Sequence, residues 1–419
     1  MSATSADRCA EPEQRLLSVE QGRQRILQAV DAVTGTEQLH IRAALGRILA
    51  EAVVSNIDLP PFANSAMDGY AIRSQDCAEH AQTVLTVIGS SFAGAPYAGL
   101  VGEGECVRIM TGAVMPDGTD TVVIQEHAER KGEQIALTSV GLKPGQHVRS
   151  PGEDTRCGDT VLEPGIKLDA AEIGLLAAVG ISEVRVSRRL RVAFFSTGDE
   201  LTSVGTPLAR GQIYDSNRYA LHGMLSKLGI ECYDLGVIAD NRDAVRAAFR
   251  QSAEQADLIL TSGGVSVGEA DFVMETLAEL GEINFWRMAM KPGKPLAFGR
   301  LDKAVFFGLP GNPVSAMVTF YQFVLPALRK MAGQNARDPL LLQARCSTEL
   351  KKAPGRMEFQ RGVLHREADG NWSVSTTGLQ GSHVLRSMSK ANCFIHLPAE
   401  NSGASAGDMV TVQPFLDLN

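Results

Sequence analysis

The sequence predicts a multidomain α/β protein: a doubly wound α/β/α domain with a mostly parallel sheet, plus an N-terminal mixed domain, an inserted β-rich domain and a C-terminal small β-barrel. Three observations lead there. The chain has 419 residues, more than one ordinary core accommodates. From Arg191 onward, apolar runs alternate with helical periodicity, the pattern of parallel strands joined by right-handed crossovers. On either side of that stretch, β-like runs are short and broken by glycine and proline. The implied boundaries are 1–54 with 146–186 for the elongated mixed domain, 55–145 for the insert, 187–336 for the α/β/α domain and 337–419 for the barrel.

The first fifty or so residues read as two helices, the first opened by a capping box at Ser18-Val19-Glu20-Gln21 and carrying Ile26, Leu27, Val30 and Val33 on one face. From about Ser55 the texture turns β-like, as in Thr83 to Ile88 and Thr121 to Ile124. A helix over Asp169 to Val179 ends at Gly180, a C-cap glycine. Then come strand Arg191 to Ser196, helix Asn217 to Leu228 closed by Gly229, strand Cys232 to Ile238 and helix Asp243 to Glu254. Strand Asp257 to Thr261 and helix Asp271 to Leu280, closed by Gly281, complete the alternation. After strands at Ile283 to Met290, Leu296 to Phe298 and Ala304 to Gly308, Asn312-Pro313 opens a last long helix as N-cap and first helical residue. Beyond Asn335 the helices stop, and strands at Phe359 to Leu364, Trp372 to Thr376, Cys393 to Leu397 and Met409 to Val412 suggest the barrel.

Composition narrows the function. Hydrophobic residues at 44% and charged residues at 21% are ordinary for a globular protein, and a net charge of -8 gives no general attraction to nucleic acid or to an anionic membrane. The seven cysteines are odd in number and scattered, without a CxxC pair, and read as reduced thiols. The opening MSATSADRCAEPEQR has no apolar signal core, and no apolar run reaches the roughly eighteen residues of a spanning helix. A cytoplasmic location is the expectation.

Four polar loops each follow the C-terminal end of a strand: Ser196 to Glu200, Ala239 to Asn241, Ser262 to Asp271 and Leu309 to Pro313. In a parallel sheet those ends share one edge, so the loops line one crevice. Gly263, Gly264 and Gly268 let backbone N–H groups approach a phosphate, and helix N-termini near Asp271 and Pro313 add partial positive charge. Glu200, Asp240 and Asp271 would repel that phosphate unless a hard divalent cation such as Mg²⁺ bridges them. In MKPGKP, Met290 to Pro295, stiff prolines aim Lys291 and Lys294 at one place, which suits a dianion. Singly, each feature has a plainer reading: a Gly-Gly turn, a helix cap at Asp271, solvated acids and lysines. Their shared edge favours the site. Leu59 to Ala71, LPPFANSAMDGYA, reads as a surface loop with a turn at Asp68-Gly69.

The stretches PPFANSAMDGYA, RIMTGAVMP, SPGEDTR, FFSTGDEL, GQIYDSN, TSGGVSVGEADF, MKPGKP, GLPGNPVSA, FQRG and GLQGSH occur in that order. Together they resemble the molybdopterin molybdenumtransferases of the MoeA type, relatives of the gephyrin C-terminal domain. The resemblance implies insertion of molybdate into adenylylated molybdopterin with release of AMP, dependent on Mg²⁺, at the end of molybdenum cofactor biosynthesis. It further implies catalytic roles for Asp68, Glu200, Asp240, Asp271 and Lys291, with Glu200, Asp240 and Asp271 on the metal. The substrate would lie against Thr111, Asp154, Gly263, Gly264, Ser266, Gly268, Lys294, Pro310, Gly311, Pro313 and Ser315, and molybdate against Lys291, Lys294, Arg361 and Ser382. Members of the family are elongated homodimers in which Asp68 would act across the interface. Candidate partners are the molybdopterin adenylyltransferase and the proteins that accept the cofactor. Two positions depart from the common pattern: Ala63 stands where bacterial relatives often carry Asp, and Arg287 where Lys is frequent. Weighed against this are an adenylyltransferase, which would need only the α/β unit, and a gephyrin-like scaffold, which would not need the carboxylates.

Overall fold

The computed structural model describes residues 16–77, 82–138, 141–263 and 272–415. These fall into two compact units, one of Met1–Glu37, Gly46–Ala50 and Val186–Asn419, the other of Gln38–Leu45 and Glu51–Arg185.

The first unit holds the alternating strands and helices. Its sheet runs in the order Glu231–Ile238, Arg191–Thr197, Leu258–Ser262, Ala304–Leu309, Pro295–Leu301, Gly281–Arg287. The first four strands are mutually parallel, and only Pro295–Leu301 is reversed against both its neighbours. Loop length dictates that reversal. Leu301 and Ala304 face each other across the two residues Asp302 and Lys303, and a connection that short joins only antiparallel strands. Asp302, at φ 49°, supplies the left-handed step of the turn.

Both faces of the sheet are covered, because successive strand residues point to opposite sides. Phe194, Leu260 and Phe307 pack with Leu221, Leu225, Val314 and Phe323 on one side. Phe195, Ile259 and Phe306 pack with Val245, Phe249, Val273 and Leu277 on the other. Helix ends follow their caps: Asp215 accepts from the Arg218 N–H at 3.2 Å, and Asn241 from the Ala244 N–H at 2.9 Å. The Ser18 capping box forms as expected, and Val19, Ile26 and Val30 join the larger core.

Four expectations are corrected. The second helix of the first fifty residues is a strand, Thr36–His40, followed by a 3-10 turn, Ile41–Ala44. Burial alternates residue by residue along Thr36–His40, the period of a strand, and the segment pairs with Glu183–Ser187 instead of coiling. Gly281 does not close a helix with a left-handed cap; Phe272–Leu280 runs directly into strand Gly281–Arg287. A Cβ on Gly281 would lie 2.2 Å from the Arg300 carbonyl, so the glycine permits close strand approach. Helix also persists beyond Asn335, as the short Leu385–Lys390. Finally, Asp68-Gly69 is no surface turn. Gly69–Ile72 is a fully buried strand of the second unit's six-stranded sheet, with Tyr70 and Ile72 facing one core and Ala71 another.

The C-terminal strands close into a five-stranded barrel: Met357–Arg366 pairs with Trp372–Thr376, then follow Leu342–Cys346, Met409–Pro414 and Cys393–Leu397, which pairs back to Met357–Arg366. Its interior is filled by Ala344, Cys346, Leu364, Val374, Cys393, Ile395, Val410 and Val412. The glycine of FQRG is a packing requirement here. A Cβ on Gly362 would meet Ile395 Cγ1 and Val374 Cγ2 at 2.9 Å and Cys393 Sγ at 3.0 Å. Gly362→Ala should therefore cost about 1–3 kcal/mol by overpacking, read as a fall in denaturant midpoint, and an unchanged midpoint would show that the barrel interior yields.

No disulfide joins the described cysteines. No described helix is long and apolar enough to cross a membrane.

Candidate active site

The four crevice loops meet as the parallel register requires. A cavity of about 980 Å³ opens at the C-terminal edge of the sheet, bounded there by Thr197, Gly198, Glu200, Asp240, Gly263, Pro310, Gly311 and Ser315. Its second wall carries Lys291 and Lys294 of the MKPGKP loop, and its third comes from the barrel: Glu349, Lys351, Arg356, Glu358, Gln360, Gln380, Gly381 and Ser382. Of the residues singled out in the sequence, Glu200, Asp240, Gly263, Lys291, Lys294, Pro310, Gly311, Ser315 and Ser382 share this one cavity. Gly264, Ser266, Gly268 and Asp271 lie outside the described residues. Asp68, Thr111 and Asp154 belong to the second unit.

Backbone freedom brings the loops together. Gly263, at φ 89°, presses so close to the end of the neighbouring strand Arg191–Thr197 that a Cβ would sit 2.8 Å from the Thr197 carbonyl. Asn217 ties two loops at once: its side-chain amide donates to Ser262 Oγ at 2.7 Å and to the Gly311 carbonyl at 2.6 Å. It lies in GQIYDSN, and nothing in the sequence pattern distinguishes it from an ordinary first-turn residue.

The sheet-edge wall is acidic. Burial, and then the neighbouring charges of Asp199 and Glu200, raise the pKa of Asp240 above the ordinary aspartate value. A carboxylate whose ionisation its acidic neighbours disfavour is one that a divalent cation would relieve, and hard carboxylate oxygens suit Mg²⁺. Among the described residues no three His, Cys, Asp or Glu side chains are grouped as a metal centre, and the third expected carboxylate, Asp271, falls outside them.

The opposite wall is basic, and part of it was not anticipated. Lys351 and Arg356 come from the barrel side, where no local pattern marks them. Lys291 is stitched to the barrel: Met290–Lys291 pairs in parallel with Met357 and Glu358, and Lys291 Nζ lies 3.1 Å from Glu358 Oε1.

Three expected contributors are placed away from the cavity surface or already bonded. Arg361 does not line the cavity. It is 1% exposed, and its Nε donates to Ser387 Oγ at 3.0 Å and its Nη2 to the Gly381 carbonyl at 3.1 Å. Gln380 clamps the same residue, accepting from the Arg361 N–H at 2.8 Å and donating to its carbonyl at 3.1 Å. Arg361 thus holds the Gly381-Ser382 segment from behind instead of presenting a fork to an anion. Pro313 stands at the first helical position but not on the cavity wall, and Asn312 gives no side-chain cap. The helix N-terminus expected to face a phosphate is partly engaged, since the Val314 N–H donates to the Ser382 carbonyl at 3.0 Å.

In the second unit Asp68 accepts from both the hydroxyl and the N–H of Thr111 at 2.7 Å, and these two bonds hold its pKa below the ordinary value. The Asp154 N–H donates to the Leu59 carbonyl at 2.9 Å, beside the start of LPPFANSAMDGYA.

Three family models match the chain in sequence order. The MoeA N-terminal region (domain I and II) covers residues 17–180, the probable molybdopterin binding domain 193–330 and the MoeA C-terminal region (domain IV) 343–415. The chain belongs to the MoeA family. Among its MoeA relatives, the molybdopterin molybdenumtransferase of Haemophilus influenzae is 47% identical over 404 residues, covering 96% of this chain and 100% of that one. The molybdopterin molybdenumtransferase of a Nostoc species is 39% identical, covering 91% and 89%. The crystal structure of the molybdopterin biosynthesis moeA protein from Pyrococcus horikoshii superposes with a TM-score of 0.83 at 28% identity, covering 96% of this chain and all of that one. MoeA membership places the chain among the molybdopterin molybdenumtransferases, enzymes of molybdenum cofactor biosynthesis.

Proposed function

We propose that the chain inserts molybdate into adenylylated molybdopterin and releases AMP, with Mg²⁺ as the required cation. The observation that carries this reading is the division of one cavity into an acidic wall, Glu200 and Asp240, and a basic wall, Lys291, Lys294, Lys351 and Arg356. A substrate joining two phosphates needs both, and molybdate needs the second.

In this reading the backbone at Gly263 and Gly311 seats the phosphates, continued by Gly264, Ser266 and Gly268, with Pro310 and Ser315 along the same edge and Pro313 behind it. Glu200, Asp240 and Asp271 would hold Mg²⁺, which when bound offsets charge on the phosphoanhydride. Water cleaves that anhydride, AMP leaves with one phosphate, and the other stays on the pterin. Lys291, Lys294 and Ser382 keep molybdate beside the dithiolene, whose two thiols bind the metal through sulfur as their two protons leave with one oxo ligand as water. The enzyme's part is positioning and electrostatics, without a covalent enzyme intermediate. Asp68, Thr111 and Asp154 would serve the site from the partner in a homodimer, which predicts a solution mass of twice 44.8 kDa. A monomeric mass by sedimentation would remove that part.

The test is anaerobic incubation with adenylylated molybdopterin, molybdate and Mg²⁺. AMP should appear only when molybdate and the cation are both present, and Asp240→Asn should lower its rate by about a hundredfold or more. Release that ignores molybdate would sink the reading.

A further inference from the structure

The basic wall contains a carboxylate for which the proposed chemistry has no use. Glu358 is 5% exposed, lines the cavity and pairs with Lys291 at 3.1 Å, while the Lys291 side chain remains 51% exposed. The pairing is fixed by the backbone, since Lys291 and Glu358 are direct partners in the parallel ladder that joins the lysine loop to the barrel. The nearby Glu349 and Lys351 form a contrast: their charges are 3.9 Å apart with side chains 69% and 85% exposed, a loose and solvent-screened pair. Of these two cavity carboxylates, Glu358 is the one that is both enclosed and held against a cation that opens into the cavity.

We propose that Glu358 is a specificity-determining residue, a built-in counter-anion that lowers the affinity of the basic wall for anions in general and leaves a preference for molybdate. This rests on the reading that Lys291 and Lys294 receive the oxyanion. An unpaired Lys291 in a partly enclosed site would hold any small anion. With Glu358 in place, an entering anion shares Lys291 with a fixed negative charge. That arrangement is tolerable only for an anion large enough for its oxygens to reach Lys294 and Ser382 as well, which favours molybdate over the smaller sulfate tetrahedron. Repulsion between a fixed carboxylate and a dianion a few ångströms away outweighs the alignment that a half-exposed lysine loses when its partner is removed.

Equilibrium dialysis of the full-length protein with molybdate and with sulfate tests this in Glu358→Gln, which keeps shape and hydrogen bonding but not charge, beside Lys291→Met. Glu358→Gln should bind molybdate about tenfold more tightly and gain still more for sulfate, so that its preference shrinks, while Lys291→Met weakens both. Glu358→Asp, which withdraws the carboxylate slightly, should move in the same direction by less, and serves if the glutamine variant does not fold. If Lys291→Met weakens molybdate binding and the Glu358 variants bind no tighter than wild type, the counter-anion role is wrong and the lysine site stands. If Lys291→Met binds like wild type, the lysine site falls and the role of Glu358 with it.

Discussion

Arg361→Leu is expected to destabilise the protein by about 3 kcal/mol and to raise the half-saturating molybdate concentration at the same time. The guanidinium is enclosed in the barrel wall, where burial pushes its pKa down to about 10, still well above neutral, so it remains a charged donor. Leucine fills part of the space but leaves the Gly381 carbonyl and Ser387 Oγ without the bonds that now reach them at 3.1 Å and 3.0 Å. Gly381 and Ser382 form cavity wall and Arg361 does not, so in the proposed reading their displacement would reach a bound oxyanion indirectly. Arg361→Lys keeps the charge but not the two-point geometry and should fall between. Thermal melting and a molybdate titration of AMP release decide it. A lower melting temperature with an unchanged half-saturating concentration would confine Arg361 to stability, whereas the reverse pair of results would return it to direct contact with the anion.

The second large effect is on stability against pH. His396 is bonded to Gln413 at 3.0 Å, and Gln413 Oε1 also accepts from Gln322 at 2.9 Å. Phe359 packs edge-on against its imidazole with ring centres 4.9 Å apart. Burial, opposed by the Gln413 bond and aided by the charge of Arg23, pushes its pKa down to about 4 from the ordinary 6.5. Between those values the unfolded chain binds a proton that the folded chain refuses, so protons pull toward unfolding. The penalty is absent above about pH 7, grows as pH falls through 6.5 and levels off below about 4, reaching about 3 kcal/mol. Replacing His396 by glutamine should flatten denaturant midpoints between pH 7 and pH 4. A variant with the wild-type slope would assign the acid sensitivity to other groups.

Much of the fold was legible because it is local. The helix start at Ser18 was read from its capping box, and the helices read from Asn217 and Asp243 begin one residue earlier, after caps at Asp215 and Asn241. The gathering of Glu200, Asp240, Gly263 and Gly311 was legible because parallel strands place all their C-terminal ends on one edge, whatever the chain distance between them. The misses are of another kind. At Gly281 and Gly69 a glycine signals either a turn or a close approach, and the choice lies with the Arg300 and Val123 carbonyls on other strands. Arg361 was set against molybdate by resemblance alone, and neither the resemblance nor its strand says what covers its side chain, here Leu385–Lys390, a helix with no legible signal.

By itself, then, the sequence determined the alternation of strand and helix, the polar loops at the strand ends and the ten motifs that mark a MoeA protein, since each resides in residues near one another in the chain. Only the tertiary structure decided which charges face one another: Lys291 against Glu358, Arg361 behind Gly381, and Asn217 between Ser262 and Gly311. The reason is physical. A local pattern fixes which face of an element is apolar, but a charge or an amide acquires its role from the partner that closure of the barrel, and its seating on the lysine loop, brings within about 3 Å.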